Sequence, residues 1–230
     1  PLEKFGARFV SNKGKLPILI EGTNNPKPIK FLESKGSAQC KTAVMLASLN
    51  TKGTTIIKAK KSRNHTELLC KYLKLPVAVK VKKNYDEIKI KKVNYIKPLN
   101  YNIPSDISSS AFFIVLTVLM GDSELTIRNV NINSSRTGII TILRKMGVKI
   151  IFKNIRTYKG EKNADIKINS PKIIKPINCP SKLNSGAIDE FLVIFLVAAK
   201  AKGTSFFKNL GELNQKESPR LKWGAKILNL

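Results

Sequence analysis

The sequence has few residues of the types that build disulfide frameworks or metal sites. Three cysteines and one histidine occur among 230 residues. An odd number of widely spaced cysteines fits neither a disulfide framework nor a zinc site. We therefore interpret Cys40, Cys70 and Cys179 as structural packing residues, and His65 as a surface or packing residue rather than a ligand.

Long apolar runs and targeting signals are also absent from the sequence. No stretch approaches the roughly 18 uninterrupted apolar residues of a membrane span, and residues 1–20 lack a basic head followed by an apolar signal core. We therefore expect a cytoplasmic protein with no membrane partner. Because the chain starts at Pro1 and stops within a helical pattern, we also expect it to be an internal piece of a longer protein.

Acidic residues are scarce, since 15 Asp and Glu stand against 42 Lys and Arg, for a net charge of +27. The lysines are spread along the chain among Ile and Asn, as in "KVKKNYDEIKIKKVNYIK", rather than grouped in a stripe. This texture indicates solvated faces, and it favours small anionic substrates over nucleic acid as partners.

Comparison of segments at long periods reveals a three-copy repeat. Each copy has small polar residues, an apolar helix, a turn glycine and a short β-rich run, and the turn glycines are Gly53, Gly121 and Gly203. In each copy a polar turn and an amphipathic helix then follow, and in the first two copies another strand comes next. The alternation predicts an α/β protein, with a domain boundary near Pro104 that separates residues 1–103 from residues 104–230.

The heads of the repeated helices can be interpreted in two ways. A helix that begins with small, polar residues, as in "KGSAQCKTAVMLASL", leaves backbone N–H groups accessible to a phosphate or carboxylate. Ser and Thr at these positions are equally typical of ordinary capped core helices. The pattern leaves both possibilities open.

Two charged clusters could carry chemistry. In "NQKESPRL", Lys216 and Arg220 are four residues apart, so one helical turn could present both cations to a dianion beside the Glu217 carboxylate. A solvated, salt-bridged helix start is the alternative. In "AIDEFLVIF", Asp189 and Glu190 precede an apolar helix as either a helix cap or a base against an apolar wall.

Several of these segments resemble motifs of the enolpyruvyl transferases, in the family's order. "PLEKFGARF", "GSAQCKTAVMLASL", "KSRNHTE", "PSDISSSAFF", "RTGIITILRKMG", "AIDEF" and "QKESPR" carry the resemblance, which runs nearly end to end and is closest to members that act on shikimate 3-phosphate. It implies a two-domain inverse α/β barrel of repeated βαβαββ units, of which this chain holds part. The first domain would bind the shikimate phosphate and end at residue 103.

The resemblance also implies the reaction and its residues. The enolpyruvyl group of phosphoenolpyruvate would pass to the 5-hydroxyl of shikimate 3-phosphate with release of phosphate, as a step of the shikimate pathway. Asp189 would accept a proton and contact shikimate 3-phosphate, and Glu217 would donate a proton to carbon. The other implied substrate-binding residues are Ser37, Ala38, Gln39, Ser62, Arg63, Lys216 and Arg220.

No metal or organic cofactor is implied, and we expect a monomer whose partners are its two small substrates.

The chain departs from the family pattern at Asn214, Gln215 and Pro219. No segment of the sequence corresponds to the family's Lys-Ser motif, to the Arg of its Arg-Pro-Met motif or to its late basic residues.

Two alternatives remain open. One is an enolpyruvyl transferase for another acceptor such as UDP-N-acetylglucosamine, and the other is an inactive anion-binding fragment or paralogue.

Overall fold

A computed structural model describes residues 1–229 and divides the chain into two compact units between Asn100 and Tyr101. The sequence had suggested a boundary after residue 103. The assignment of these units to the two domains of the resembling family stays a prediction.

Unit 1 contains the first copy of the repeat as a complete βαβαββ unit. It consists of β3 (Lys30–Glu33), α1 (Ala38–Leu49), β4 (Thr54–Lys60), α2 (His65–Tyr72), β5 (Val77–Val81) and β6 (Tyr85–Lys91). The strands form one sheet in the order β3-β4-β6-β5, in which β3 and β4 are parallel and the other neighbours are antiparallel. A hairpin of β1 (Arg8–Asn12) and β2 (Lys15–Glu21) precedes the repeat.

Alternating burial explains why the first copy folds this way. Along β4, Thr55, Ile57 and Ala59 are buried while their neighbours are more exposed, as expected for a strand with one covered face. Helix α1 covers that face with Val44, Met45 and Leu49. The turn between α1 and β4 needs Gly53, whose φ of 94° lies in the left-handed region and whose added Cβ would lie 3.0 Å from Pro28.

Unit 2 contains the second and third copies. The second consists of α3 (Ile107–Leu119), β7 (Glu124–Asn131), α4 (Gly138–Lys145), β8 (Lys149–Tyr158) and β9 (Glu161–Asn169). Its antiparallel sheet has the order β7-β9-β8, and a single parallel bridge from Ser105 to Val130 takes the position of a first strand. The third consists of β10 (Asn178–Cys179), α5 (Phe191–Ala199), β11 (Phe206–Phe207) and α6 (Arg220–Leu228), with β10 and β11 parallel.

These elements confirm the predicted α/β class and the three-copy repeat. The core of unit 2 is built from α3, α4 and α5 and from the covered face of the sheet, where Ile166 and Ile168 are fully buried. Cys70 and Cys179 are free and buried, and burial raises the pKa of both thiols. Both therefore act as packing residues, whereas Cys40 is an exposed free thiol.

Candidate functional site

The head of α1 in unit 1 is fixed by hydrogen bonds on both sides. The buried Glu33 carboxylate at the end of β3 accepts from the backbone N–H groups of Lys35, at 3.0 Å, and Gly36, at 2.7 Å. Ser37 then caps the helix, because its Oγ accepts from the N–H of Cys40 at 3.2 Å. Gln39 is exposed in the first turn. The predicted binding residues of this segment therefore lie on a rigid, partly open helix N-terminus.

Ser62 and Arg63 lie in the turn between β4 and α2, and both are half-buried. The Oγ atom of Ser62 is buried and has no hydrogen-bond partner among the described residues. The turn is joined to α1 because Lys41 Nζ donates to the carbonyl oxygen of Arg63 at 2.7 Å. Unit 1 thus places two of the predicted substrate-binding segments, the head of α1 and the β4–α2 turn, beside each other.

Lys41 and Glu67, which were not singled out from the sequence, form a buried ion pair with an Nζ–Oε1 distance of 2.6 Å. The sequence does contain a signal for a buried lysine at this position. Lys41 precedes Val44, Met45 and Ser48 by three, four and seven residues, which is the spacing of one buried helix face. A lysine on such a face requires a buried partner.

In unit 2, a polar network joins the beginnings of three helices. Arg136 Nη2 donates to Asp106 Oδ1 at 2.8 Å and to Ser108 Oγ at 2.6 Å. Ser108 in turn donates to the carboxylate of Glu190, which is only 3% exposed and precedes α5 directly. Asp106 also caps α3 by accepting from the N–H of Ser109 at 2.8 Å.

Burial raises the pKa of Asp106, but the hydrogen bond from Ser109 and the positive charge of Arg136 outweigh it, so the pKa lies below its ordinary value. Asp106 is therefore ionised at neutral pH, as an ion pair with Arg136 requires. The network consequently crosslinks the second and third copies through one cation and two acidic residues.

A second polar cluster of unit 2 forms around Arg220 and contains residues from both charged segments singled out in the sequence. Its Nη1 donates to Asp189 Oδ1 at 3.0 Å and its Nη2 donates to Glu217 Oε2 at 2.7 Å. A hydrogen bond from the Glu217 backbone N–H and the contact with Arg220 hold the pKa of the Glu217 carboxyl below its ordinary value. The structure therefore brings together Asp189, Glu217 and Arg220, three residues singled out from the sequence.

One detail of the sequence interpretation was wrong. Lys216 and Arg220 do not share a helical turn, because Lys216 follows a short 3-10 helix with extended backbone and α6 begins only at Arg220. Nζ of Lys216 instead lies 3.7 Å from Oε1 of Glu212. Before α5, Glu190 occupies the cap position without a side-chain cap hydrogen bond, and Asp189 accepts a hydrogen bond from Arg220.

The departures from the family pattern have structural roles at the start of α6. Pro219 occupies the cap position, where its missing N–H costs nothing. The side-chain oxygen of Asn214 accepts from the N–H of Leu221 at 3.0 Å. Asn214 therefore supplies the cap that Pro219 cannot, and it holds the helix end that carries Arg220.

Within residues 1–229, the part of the chain that the structure describes, no group of three or more His, Cys, Asp or Glu side chains is arranged to hold a metal ion. None of the helices in that range has the length and apolar character needed to cross a membrane.

Comparison with known proteins places the chain in one family. The sequence profile of EPSP synthase (3-phosphoshikimate 1-carboxyvinyltransferase) matches residues 1–230. The chain is 40% identical over 231 residues to a 3-phosphoshikimate 1-carboxyvinyltransferase of Vesicomyosocius okutanii, a match that covers all of this chain and 52% of that relative. It is 38% identical over 235 residues to one from Staphylococcus aureus strain bovine RF122, of which it covers 53%.

Solved structures agree with this placement. An EPSP synthase from Acinetobacter baumannii matches with a TM-score of 0.81 and 34% identity, over 96% of this chain and 50% of that one. The enolpyruvyl transferase NikO from Streptomyces tendae matches with a TM-score of 0.64 over 91% of this chain and 51% of that one, but at 13% identity this likeness concerns the fold alone. The chain spans about half the length of the relatives it matches. The shared motifs, the repeat and these matches together establish that the chain belongs to the EPSP synthase (3-phosphoshikimate 1-carboxyvinyltransferase) family.

Proposed function

We propose that this chain forms part of an enzyme that transfers the enolpyruvyl group of phosphoenolpyruvate to the 5-hydroxyl of shikimate 3-phosphate. The observation that carries the proposal is the contact of Arg220 with both Asp189 and Glu217. It supplies two carboxylates for proton transfer and a cation for an anionic substrate in one place. Family membership supports the same reaction.

The head of α1 and the β4–α2 turn support binding of the shikimate phosphate in unit 1. Ser37, Ala38 and Gln39 stand at a helix N-terminus, where N–H groups and the helix dipole favour an anion. The Ser62 hydroxyl and the Arg63 guanidinium are of the types that donate hydrogen bonds to phosphate oxygens. Gln39 is proposed to contact phosphoenolpyruvate as well, because it is exposed in that first turn.

The proposed chemistry assigns one proton transfer to each carboxylate in each of two steps. In the addition, the 5-hydroxyl oxygen attacks C2 of phosphoenolpyruvate while its proton passes to Asp189, and a proton from Glu217 adds to C3. The product of this addition is a tetrahedral intermediate. In the elimination, one C3 proton returns to Glu217 while the C2–O bond to phosphate breaks and the leaving phosphate takes the proton from Asp189, which forms the enol ether and restores both carboxyl groups. Lys216 and Arg220 would stabilise the negative charge that gathers on the leaving phosphate.

Glu217 can donate a proton as proposed only if its contact with Arg220 changes when substrate binds. A proton donor must carry its proton at the start of the reaction, whereas the hydrogen bond from its own backbone N–H and the contact with Arg220 lower the pKa of Glu217. A substrate anion that draws the guanidinium away would remove the contribution of Arg220 and allow the pKa to rise. Glu217 is 80% exposed and Arg220 is 21% exposed, so both side chains are accessible for such an exchange.

The first test is phosphate release from phosphoenolpyruvate, measured with and without shikimate 3-phosphate. The protein used is the product of the longest open reading frame that contains this chain. Release that depends on shikimate 3-phosphate is expected. Release that depends instead on UDP-N-acetylglucosamine would replace the acceptor, and a folded protein without release would leave anion binding as the function.

Asp189→Asn in the same protein separates catalysis from folding. Turnover is expected to fall by about 100-fold or more, because the proton acceptor is lost, while the melting temperature changes little. Asp122→Asn is the matched control, since Asp122 is exposed in a turn with φ of 48°, a conformation that asparagine tolerates. An equal loss of stability and turnover in Asp189→Asn would contradict the catalytic role.

We also propose that the whole enzyme is a cytoplasmic monomer that needs no metal or organic cofactor. Turnover that survives exhaustive dialysis against a chelator tests the prediction that no metal is needed. Light scattering coupled to size-exclusion chromatography tests the prediction of a monomer.

A further inference from the structure

The most deeply buried charged residue of unit 1 lies in the first turn of α1. Lys41 is 1% exposed, and its Nζ lies 2.6 Å from Oε1 of Glu67, which is 7% exposed. Glu67 itself lies in the first turn of α2. One buried ion pair therefore joins the beginnings of the two helices of the first copy.

Stability alone does not explain this pair. Removing a lysine and a glutamate from water costs about as much as their attraction returns, and apolar residues of similar volume often fold equally well. Lys41 is also placed against the helix dipole, since a cation near a helix N-terminus is disfavoured. A second purpose is needed to account for a charge pair at this position.

The hydrogen bonds of Lys41 and of its neighbour in α1 indicate this second purpose. Besides contacting Glu67, Lys41 Nζ donates to the carbonyl oxygen of Arg63 at 2.7 Å. A second contact lies beside the ion pair, because the hydroxyls of Thr42, which follows Lys41, and Thr66, which precedes Glu67, are 2.7 Å apart. The β4–α2 turn is thus held against the first turn of α1.

Both segments held in this way carry residues proposed to bind the shikimate phosphate. Ser37 and Gln39 precede Lys41 in the same turn of helix, and Ser62 adjoins the Arg63 carbonyl that Lys41 holds. Lys41 itself has almost no exposed surface and is already neutralised by Glu67, so it is unsuited to contact the substrate directly. Its effect on a bound phosphate must act through the distance between the two segments.

We infer that Lys41 and Glu67 are positioning residues, which set the spacing between the head of α1 and the β4–α2 turn and thereby the affinity for shikimate 3-phosphate. This inference rests on the proposed function. It predicts that replacing the pair loosens the turn and weakens binding of shikimate 3-phosphate, with a much smaller effect on the rate of the chemical step.

The test uses the double variant Lys41→Met/Glu67→Met, which replaces both charges with apolar side chains and leaves neither one buried alone. The KM for shikimate 3-phosphate is expected to rise by about 10-fold to 100-fold, because small misplacements of binding groups have effects of this size. The kcat is expected to change by less than about threefold, since no reacting group is altered. Lys71→Met, which removes an exposed lysine of α2, is the matched control.

A second variant keeps the test decisive if the double variant folds poorly. Glu67→Gln retains an oxygen that can accept from Lys41, so it is expected to raise the KM less than the double variant does. An unchanged KM for shikimate 3-phosphate in a folded variant would overturn the inference. A fall in kcat with no change in KM would overturn it too, because it would assign the pair to the chemical step.

Hydrogen–deuterium exchange in the 230-residue chain distinguishes failure of this inference from failure of the proposed function. The amides of residues 61–64 are expected to exchange faster in the double variant than in wild type, without any ligand, and Lys71→Met is expected to leave them unchanged. Equal exchange would show that the pair does not position the turn, whatever the substrate. If exchange increases but the wild type shows no turnover or binding with shikimate 3-phosphate, the proposed function fails and the substrate part of the inference fails with it.

Discussion

In the first and third copies of the repeat, a cation joins the two helices of the copy, but the two cations differ in how deeply they are buried. In the first copy a cation, Lys41, joins the head of α1 to the turn before α2 and is sealed from solvent by Glu67. In the third copy the cation is Arg220 at the start of α6, which joins Asp189 before α5 but remains 21% exposed. The second copy has Arg136 in the corresponding place.

This difference separates a structural contact from one that is available for chemistry. A buried pair cannot exchange its partner for a ligand without exposing a charge to an apolar interior, so it fixes geometry. A partly exposed guanidinium loses little when a phosphate replaces a carboxylate beside it. Each copy therefore has a cation that joins its two helices, and burial decides what each cation can do.

The largest expected effect comes from breaking the buried pair. Glu67→Ala should lower the free energy of unfolding by about 3–5 kcal/mol, because Lys41 remains buried without its carboxylate. Glu217→Ala, the matched change in the exposed cluster, should leave the urea midpoint nearly unchanged. Urea denaturation followed by circular dichroism measures both. Equal losses would mean that burial does not distinguish the two copies.

The next effect tests the close approach of the second and third copies. A Cβ added at Gly138 would lie 2.6 Å from the backbone carbonyl carbon of Gly186, so Gly138→Ala should destabilise unit 2 by about 1–3 kcal/mol. The same change in an ordinary helix would be stabilising.

Gly186→Ala provides the control for this prediction. Its added Cβ would meet no atom closer than 3.5 Å, which is ordinary contact, so a much smaller change in the melting temperature is expected. A stabilising Gly138→Ala would contradict the close approach.

A smaller effect depends on pH and concerns the partly exposed cation of the second copy. Because the folded-state pKa of Asp106 lies below its ordinary value, its charge stabilises the protein above about pH 4, and this contribution disappears as pH falls through the folded-state pKa. Asp106→Asn keeps a helix cap but removes the charge beside Arg136.

The variant should therefore be about 1 kcal/mol less stable than wild type at pH 7. The difference should shrink as the pH falls below about 4. Urea midpoints measured from pH 7 to pH 3 test this, and a difference that grows toward acid would contradict the sign of the pKa shift.

The smallest expected effect concerns the support of Arg220. Asn214→Ala removes one exposed helix-capping hydrogen bond to Leu221 and should cost about 0.5 kcal/mol. Asn214→Asp, which keeps an acceptor and adds a charge that favours a helix N-terminus, should restore the melting temperature. Failure of the aspartate to restore it would show that Asn214 has another role.

Much of the fold was predictable from local patterns. The alternation of burial along β4 and the capping positions of Ser37 and Asp106 depend on neighbours a few residues away, so periodicity and residue type were enough. The start of α6 was harder to place, because Pro219 stops regular helix geometry and the cap comes from Asn214, before the helix begins. Sequence spacing therefore grouped Lys216 with Arg220 in a helical turn that does not exist.

Composition, periodicity and ordered motifs by themselves determined the α/β class, the three-copy repeat and the choice of Asp189, Glu217 and Arg220 as candidate residues. The tertiary structure alone decided which charges are buried and which partners they have. Lys41 and Glu67 are far apart in sequence, and Ser108 is farther still from Glu190. Pairing across such distances depends on how helices pack, and desolvation, which sets the strength and function of each pair, exists only after that packing has formed.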